Sequence, residues 1–443
     1  MPFELPLCLA AWIVSLASPL DVRSAVRVEL LFVGILFAKD RRTVACWLRA
    51  AGIGKGFRPF YHVFRSIGRA VQLMAGRVLD IVVENLPLGE RILLVFDDSP
   101  TKRYGPCVQG AGIHHNPTPG PAGAPFLYGH VWVVMGIIVE HATWGSIALP
   151  IMALLYVRRK HIPMLPPGYH WKFQTKLQQA ALMLGWAVER LGGLGKSIWT
   201  VVDGGYVKRA FLKDAVRRGV IVVGRLRRDA ALWTLPPEYS DGSRPKGRPR
   251  KYGVKRIDLR KRAAHPGGWQ TGEFVLYGEK VFKTYKTFLA TYRPAYGTIR
   301  VVLVREADGF RAFLCTKADA TVAEILETFA CRATIELVFE QIKETHGAGQ
   351  QQLRDIWANL GSYNLILWLH TLVEIWAWKL PKSRIGDRSD SPWDNADRRP
   401  SHADRCEALR RTCIEAAFAK LRAGKRLARG IAALVKRLTN LAA

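Results

Sequence analysis

TVAEILETFACRATIELVFEQIKETHG, Thr321 to Gly347, holds no glycine or proline before its last residue and reads as one helical run ending at that glycine. Projected at about 100° per residue, Phe329, Arg332, Glu336 and Lys343 fall within about 60° of one another, with Phe339 beside them. One face therefore carries a cation, a carboxylate and a second cation. On an isolated helix this is a solvated face whose i,i+4 Arg/Glu pair is worth a few tenths of a kcal/mol. What precedes the run decides whether it is more.

Two earlier stretches end in acids. Arg91 to Pro100, RILLVFDDSP, is an apolar run that breaks at Asp97 and Asp98, the pattern of a buried strand delivering a carboxylate at its C-terminal end. KSIWTVVDGGY is a second such run, ending in Asp203 with Gly204 and Gly205 turning into a helix over Tyr206 to Arg218. Between them lie a polar, Gly/Pro-rich loop (Thr101 to Pro125), two strands (Tyr128 to Val139 and Ser146 to Arg158) and a helix (Trp171 to Leu191). A strand at Val220 to Leu226 follows. The order is strand, strand, strand, helix, strand, helix, strand.

Taken with that order, Arg332-x3-Glu336-x6-Lys343 and the aromatic Phe329 resemble the Y-R-E-K signature of insertion-sequence transposases of the DDE class, in the RNase H-like and retroviral integrase superfamily. The resemblance spans residues 91 to about 380. It implies an α/β fold, an RNase H-like mixed-sheet catalytic core with a β-rich insertion and an all-α N-terminal region. Phe329 stands where the signature has Tyr, so the hydroxyl that reaches a phosphate in the family is missing here.

The expected organisation follows. Residues 1–88 are helical, and Arg41 to Ala70 shows two periodic segments around a Gly-rich turn at Gly52 to Gly56, as in a helix-turn-helix DNA reader. Residues 89–380 form the catalytic domain. Glu336 follows Asp203 only after a long interval, so residues 227–320 are read as the insertion, with β-like runs at Gly272 to Tyr277, Tyr285 to Tyr292, Thr298 to Glu306 and Phe310 to Thr316. Its basic loop, SRPKGRPRKYG, carries Arg248 and Arg250 in a core that looks like a minor-groove arm of the AT-hook kind, or else a solvated loop. Residues 381–403 read as a linker and 404–443 as a basic helical tail.

For the site, the resemblance implies Asp203 and Glu336 as metal-binding catalytic acids, completed by one acid of the first strand. Strand alternation lets only one of Asp97 and Asp98 point into the site. A D-x-S/T pattern selects Asp97, the first choice; an acid directly before the serine selects Asp98. Carboxylate oxygens suit hard Mg²⁺, with Mn²⁺ as the substitute. Arg332 and Lys343 are placed to hold DNA phosphates, the first bidentately, the second as a point charge. His114 and His115 sit in the loop after the first acids, as candidates for lining the site.

Composition bounds the partners. Lys and Arg number 66 against 36 Asp and Glu, a formal charge of +30 over 443 residues, which favours a polyanion. DNA is the expected partner: transposon terminal inverted repeats and target DNA, bound by a homodimer that holds two ends together. The 7 cysteines form no CxxC pair, so neither a disulfide framework nor a zinc site is expected, and the compartment is read as a reducing prokaryotic cytoplasm or nucleoid. Leu360 to Leu380 is long enough for a membrane span. Its Asn364, His370 and Glu374 favour a buried helix instead, and no membrane partner is expected. The activity expected is metal-dependent cleavage at transposon ends with strand transfer to target DNA; the alternatives are an RNase H-fold DNA nuclease without joining and a catalytically silent DNA-binding descendant.

Overall fold

A computed structural model describes residues 3–39, 41–116, 124–237, 247–386, 393–395 and 398–423. Five helices come first: α1 (Leu7–Ala17), α2 (Val22–Phe37), α3 (Val44–Ala50), α4 (Arg58–Arg69) and α5 (Val71–Asn85). Then follow β1 (Arg91–Lys102), β2 (Gly112–His115), β3 (Phe126–His141), β4 (Gly145–Tyr156), α6 (Lys176–Leu191), β5 (Ser197–Val202), α7 (Arg209–Arg217) and β6 (Ile221–Leu226). The segment after β6 contributes β7 (Leu232–Trp233), β8 (Arg256–Ile257), α8 (Leu259–Ala264), β9 (Gln270–Leu276), β10 (Glu279–Tyr292), β11 (Gly297–Glu306) and β12 (Gly309–Cys315). Last are α9 (Val322–Cys331), α10 (Ala333–Glu344), α11 (Ile356–Ala377), α12 (Lys382–Ile385) and α13 (His402–Ala423).

All the strands join one 12-stranded mixed sheet. Its first half runs β4-β3-β1-β5-β6, with β1 antiparallel to β3 and β3 to β4, but β1 parallel to β5 and β5 to β6. This is the RNase H-like order and sense. The connections explain it: β3 to β4 is a tight hairpin, whereas β5 and β6 need a helix between them, as parallel neighbours do. The strands of residues 227–320 extend the same sheet, because β12 pairs antiparallel with β6 and carries β11, β10 and β7 beyond it.

Several local expectations are corrected. The loop at Thr101 to Pro125 contains a strand, because β3 outruns β4 and the uncovered end at Phe126 to Gly129 pairs with Gly112 to His115. The run Thr321 to Gly347 is two helices. It starts with a capping box, Thr321 against Glu324, then tightens at Arg332, where Arg332 N bonds Phe329 O and Ile335 N bonds Arg332 O, each three residues back. The linker of residues 381–403 holds the short α12, and α13 begins within it at His402.

α11 is buried along nearly its whole length and packs against the open edge of β4. Asn364 bonds both the amide and the carbonyl of Ala153, Trp368 Nε1 donates to Ile151 O, and Thr371 donates to Pro150 O. These side chains satisfy edge groups that would otherwise template another strand. The asparagine that argued against a membrane span is thus a sheet-edge cap. No helix among the described residues is long and apolar enough to cross a membrane. α4 crosses α11 closely: a methyl group added at Gly361 would stand 2.0 Å from Phe64 O, and one at Gly68 would overlap the Trp357 carbonyl. The basic tail beyond residue 423 lies outside the described residues.

Candidate active site

The register of β1 on β5 builds the first half of the site. Phe96 is opposite Val202, so Asp203, just past the end of β5, lies beside Asp97, which sits midway along β1 and not at the expected strand end, because β1 runs on to Lys102 against β3. Alternation then separates the two aspartates of β1. Val95, Asp97 and Ser99 face α10 and α11: Ile335 of α10 and Val95 both approach the bare Cα of Gly136, and Trp132, opposite Ser99, stacks on Tyr363 of α11 with ring centroids 4.1 Å apart. Phe96 and Asp98 face α6 and α7. There Phe96 meets Phe211 edge-on at 5.4 Å, Lys176 Nζ lies 2.6 Å from Asp98 Oδ2, and the Tyr206 hydroxyl donates to Asp98 Oδ1 at 3.2 Å.

Glu336 is brought to Asp97 by the residue between them. Arg332 Nη1 donates to Asp97 Oδ2 at 2.7 Å and Nη2 to Glu336 Oε1 at 2.5 Å. Arg332 leans on the Phe329 ring at 5.8 Å, and that ring packs on Phe313 of β12 at 4.7 Å. The aromatic that opens the motif therefore supports the arginine. Phe339, expected beside the polar face, is buried and belongs to the core.

Electrostatics set these acids apart. Burial raises the Asp97 carboxyl to about 7, against the opposing pull of Arg332 and of the Asp98 amide. Glu336 is exposed. Tyr206 is driven well above its ordinary value, first by burial and then by Asp98 and Asp97, so its phenol stays a donor. Burial lowers the Lys343 amine, and among the described residues nothing ion-pairs with it. His114 falls to about 4 by burial and by the nearby cations Arg158 and Lys176, so it is neutral at pH 7; His115 is exposed on Phe126. Arg248 and Arg250 are exposed.

Beside Asp203 opens a cleft of about 580 Å³ lined by Lys208, Arg225, Arg227, Arg228, Arg260 and Arg311. None of them was expected from the sequence, although Arg225-x-Arg227-Arg228, running over the end of a strand, was the available signal. Lys176 and Tyr206 were also missed; both are ordinary residues at helix and turn starts, marked only by the fold. Asp97, Asp203 and Glu336 offer only carboxylate oxygens, a hard donor set that fits a divalent cation of the Mg²⁺ type. Arg332, held between two of them, occupies the role of a countercharge.

A mixed sheet with acids on two adjacent parallel strands, and a third acid on a helix linked to the first through Arg332, is the arrangement of an RNase H-like core. Residues 178–372 match the family described as transposase DDE domain. Asp203 and Glu336 lie within the matched segment and Asp97 before it. No curated protein matches the chain. DDE transposases act on DNA and normally use divalent metal.

Proposed function

We propose that the chain is an insertion-sequence transposase of the Y-R-E-K type that cuts DNA at the terminal inverted repeats of its element and joins the freed 3′-hydroxyl to target DNA. The observation that carries this reading is the placement of Asp97 next to Asp203, with Glu336 linked to Asp97 through one guanidinium. These three acids are assigned as catalytic ligands of Mg²⁺, or of Mn²⁺ in its place. Divalent ions held by these carboxylates would supply the charge that activates an attacking oxygen and stabilises a leaving one.

The chain's own groups do the rest. Asp97, pushed up to about 7 by burial, must give up its proton before it can act as a ligand. Asp98 is held away by Lys176 and Tyr206 and serves as the anchor of the opposite face. Arg332, once released from the carboxylates, presents its planar fork to a phosphate, and Lys343 adds a point charge further along the same helix. The cations lining the cleft next to Asp203 guide the backbone of the strand entering the site. Outside the core, α3 and α4 with the glycine turn between them, the GRPR loop and the basic tail are assigned to DNA contact, and pairing of two ends to a homodimer. The compartment is the prokaryotic cytoplasm or nucleoid.

The test is cleavage of a labelled duplex carrying the element's end, with Mg²⁺ or with EDTA, by the wild type and by Glu336→Gln. Metal-dependent cutting at the end and joining to a target plasmid, both lost in the variant, support the reading. Cutting without joining points to a nuclease. A folded wild type that binds the duplex and cuts nothing sinks the enzymatic reading.

A further inference from the structure

Beyond the C-terminal end of α10, the end opposite the turn that carries Glu336, three segments distant in sequence meet in a buried polar cluster. His346 follows the end of α10, His370 and Glu374 belong to α11, and His402, Arg405 and Cys406 open α13; all six are almost fully buried. Six polar groups inside a protein are costly unless they satisfy one another or a ligand.

Three of them converge on one point. His346 Nε2 and His402 Nε2 lie 2.8 Å apart, and Cys406 Sγ is 3.3 Å from His402 Nε2 and 3.9 Å from His346 Nε2. Bonds of about 2.05 Å to nitrogen and 2.3 Å to sulfur around a tetrahedral zinc ion place such donors about 3.3 Å (N to N) and 3.6 Å (N to S) apart. The two N–S distances bracket their edge and the N–N distance is about half an ångström short of its own, so a zinc ion would need shifts of only about that size. His402 and Cys406, four residues apart on one helix, share a face, as paired ligands on a helix must.

The surroundings resemble an outer ligand shell. His402 Nδ1 meets Glu374 Oε1 at 2.6 Å, which leaves Nε2 directed at the cluster, and Arg405 Nη1 holds the same carboxylate at 3.0 Å. A carboxylate behind a ligating imidazole fixes its tautomer and orientation. The second trio that the fold gathers, His370, Glu374 and His402, fits less well, because Glu374, which would have to be a ligand, is already engaged by both Arg405 and His402.

We propose that His346, His402 and Cys406 form a zinc-binding site, with Glu374 and Arg405 as its outer support, that fastens α13 to the end of the helix bearing Glu336. Two imidazoles and a thiolate suit Zn²⁺ and disfavour Mg²⁺, so this centre is chemically distinct from the carboxylate site. Three protein donors leave the fourth position of the ion to water or a backbone carbonyl. A site here departs from the expectation of no zinc drawn from seven cysteines without a CxxC pair, since the proposed partners of Cys406 are histidines, one on its own helix and one far upstream.

The experiment uses the full chain, purified without chelator. Metal analysis is expected to find about one zinc per chain, and replacement by Co²⁺ to give the intense thiolate-to-cobalt absorption of a cysteine ligand. Cys406→Ser should abolish that absorption, while Cys413→Ser, a buried cysteine on the same helix outside the cluster, and Asp203→Asn should both keep it. Should Cys406→Ser fail to fold by circular dichroism, titration of the wild type with Co²⁺ decides alone. A folded wild type that takes up neither zinc nor cobalt, or an absorption that persists unchanged in folded Cys406→Ser, overturns the proposal. Because Asp203→Asn retains the metal, a wrong assignment of the acids leaves this result unaffected.

Discussion

Arg332 Nη1 stands 2.7 Å from Asp97 Oδ2, although the two residues are 235 apart in sequence. The same guanidinium holds Glu336, so one cation closes the gap between a strand acid and a helix acid. On the proposed function it is a countercharge that a bound divalent ion would render unnecessary. Arg332→Ala is therefore expected to destabilise the metal-free chain by about 1.5–3 kcal/mol, the range for hydrogen bonds to charged groups, and Mg²⁺ should recover more of the loss in the variant than it adds to the wild type. Thermal melts with and without Mg²⁺ read both numbers; equal Mg²⁺ shifts in the two proteins contradict the idea.

Asp97 and Asp98 make opposite predictions because they point to opposite faces. Asp97→Asn removes a carboxylate next to Asp203 and is expected to slow end cleavage at least about 10³-fold, as loss of several kcal/mol of transition-state stabilisation implies. Asp98→Asn loses only its contacts with Lys176 and Tyr206 and should keep activity within about 10-fold, while costing about 1 kcal/mol or more of stability. Single-turnover cleavage of the labelled end separates the two. A reversed order of effects would assign the site to Asp98.

The proton on Asp97 gives a pH dependence with a definite sign. Its carboxyl rises from 3.8 to about 7 on folding, so between those values the folded chain holds a proton that the unfolded chain has released. Stability contributed by this group is thus present at low pH and lost as pH rises through that window. Activity runs the other way, since ligation needs the carboxylate: cleavage should climb through about pH 7, with a midpoint that falls as Mg²⁺ concentration rises. A midpoint indifferent to Mg²⁺ would remove Asp97 from the metal site.

Close crossing of α4 and α11 predicts a cost for the smallest possible side chain. A methyl at Gly361 would sit 2.0 Å from the Phe64 carbonyl oxygen, so Gly361→Ala should destabilise by about 1–3 kcal/mol. Gly193→Ala, where the added carbon meets nothing within 4 Å, serves as the control. Urea unfolding of both variants is the measurement, and equal midpoints would refute the crossing.

Binding to duplex DNA should weaken steeply with salt, log K falling by about 0.9 per phosphate neutralised. Replacing both Arg225 and Arg228 with Ala should reduce the slope by up to about 1.8 if each meets a phosphate. Fluorescence anisotropy over a salt series gives the slope; an unchanged one places the DNA elsewhere than the cleft beside Asp203.

Some of this was legible in the residues themselves. Apolar runs reaching Asp97 and Asp203, alternating with helical periods, specify strands that carry these acids, because strand burial and side-chain period are written locally; that β1 continues past Asp97 to Lys102 is decided by its pairing with β3. The capping box at Thr321 and the face of Arg332 and Glu336 are local as well. Other features belong to the fold alone. Whether Asp97 or Asp98 enters the site depends on which face of β1 α10 covers, and only packing sets that. The basic cleft arises where β6, α8 and β12 meet, and the cluster of His346, His402 and Cys406 joins three segments that no spacing rule connects. Local order follows from each stretch's own periodicity and caps, whereas long-range contacts are selected by the one arrangement that buries all the apolar faces together.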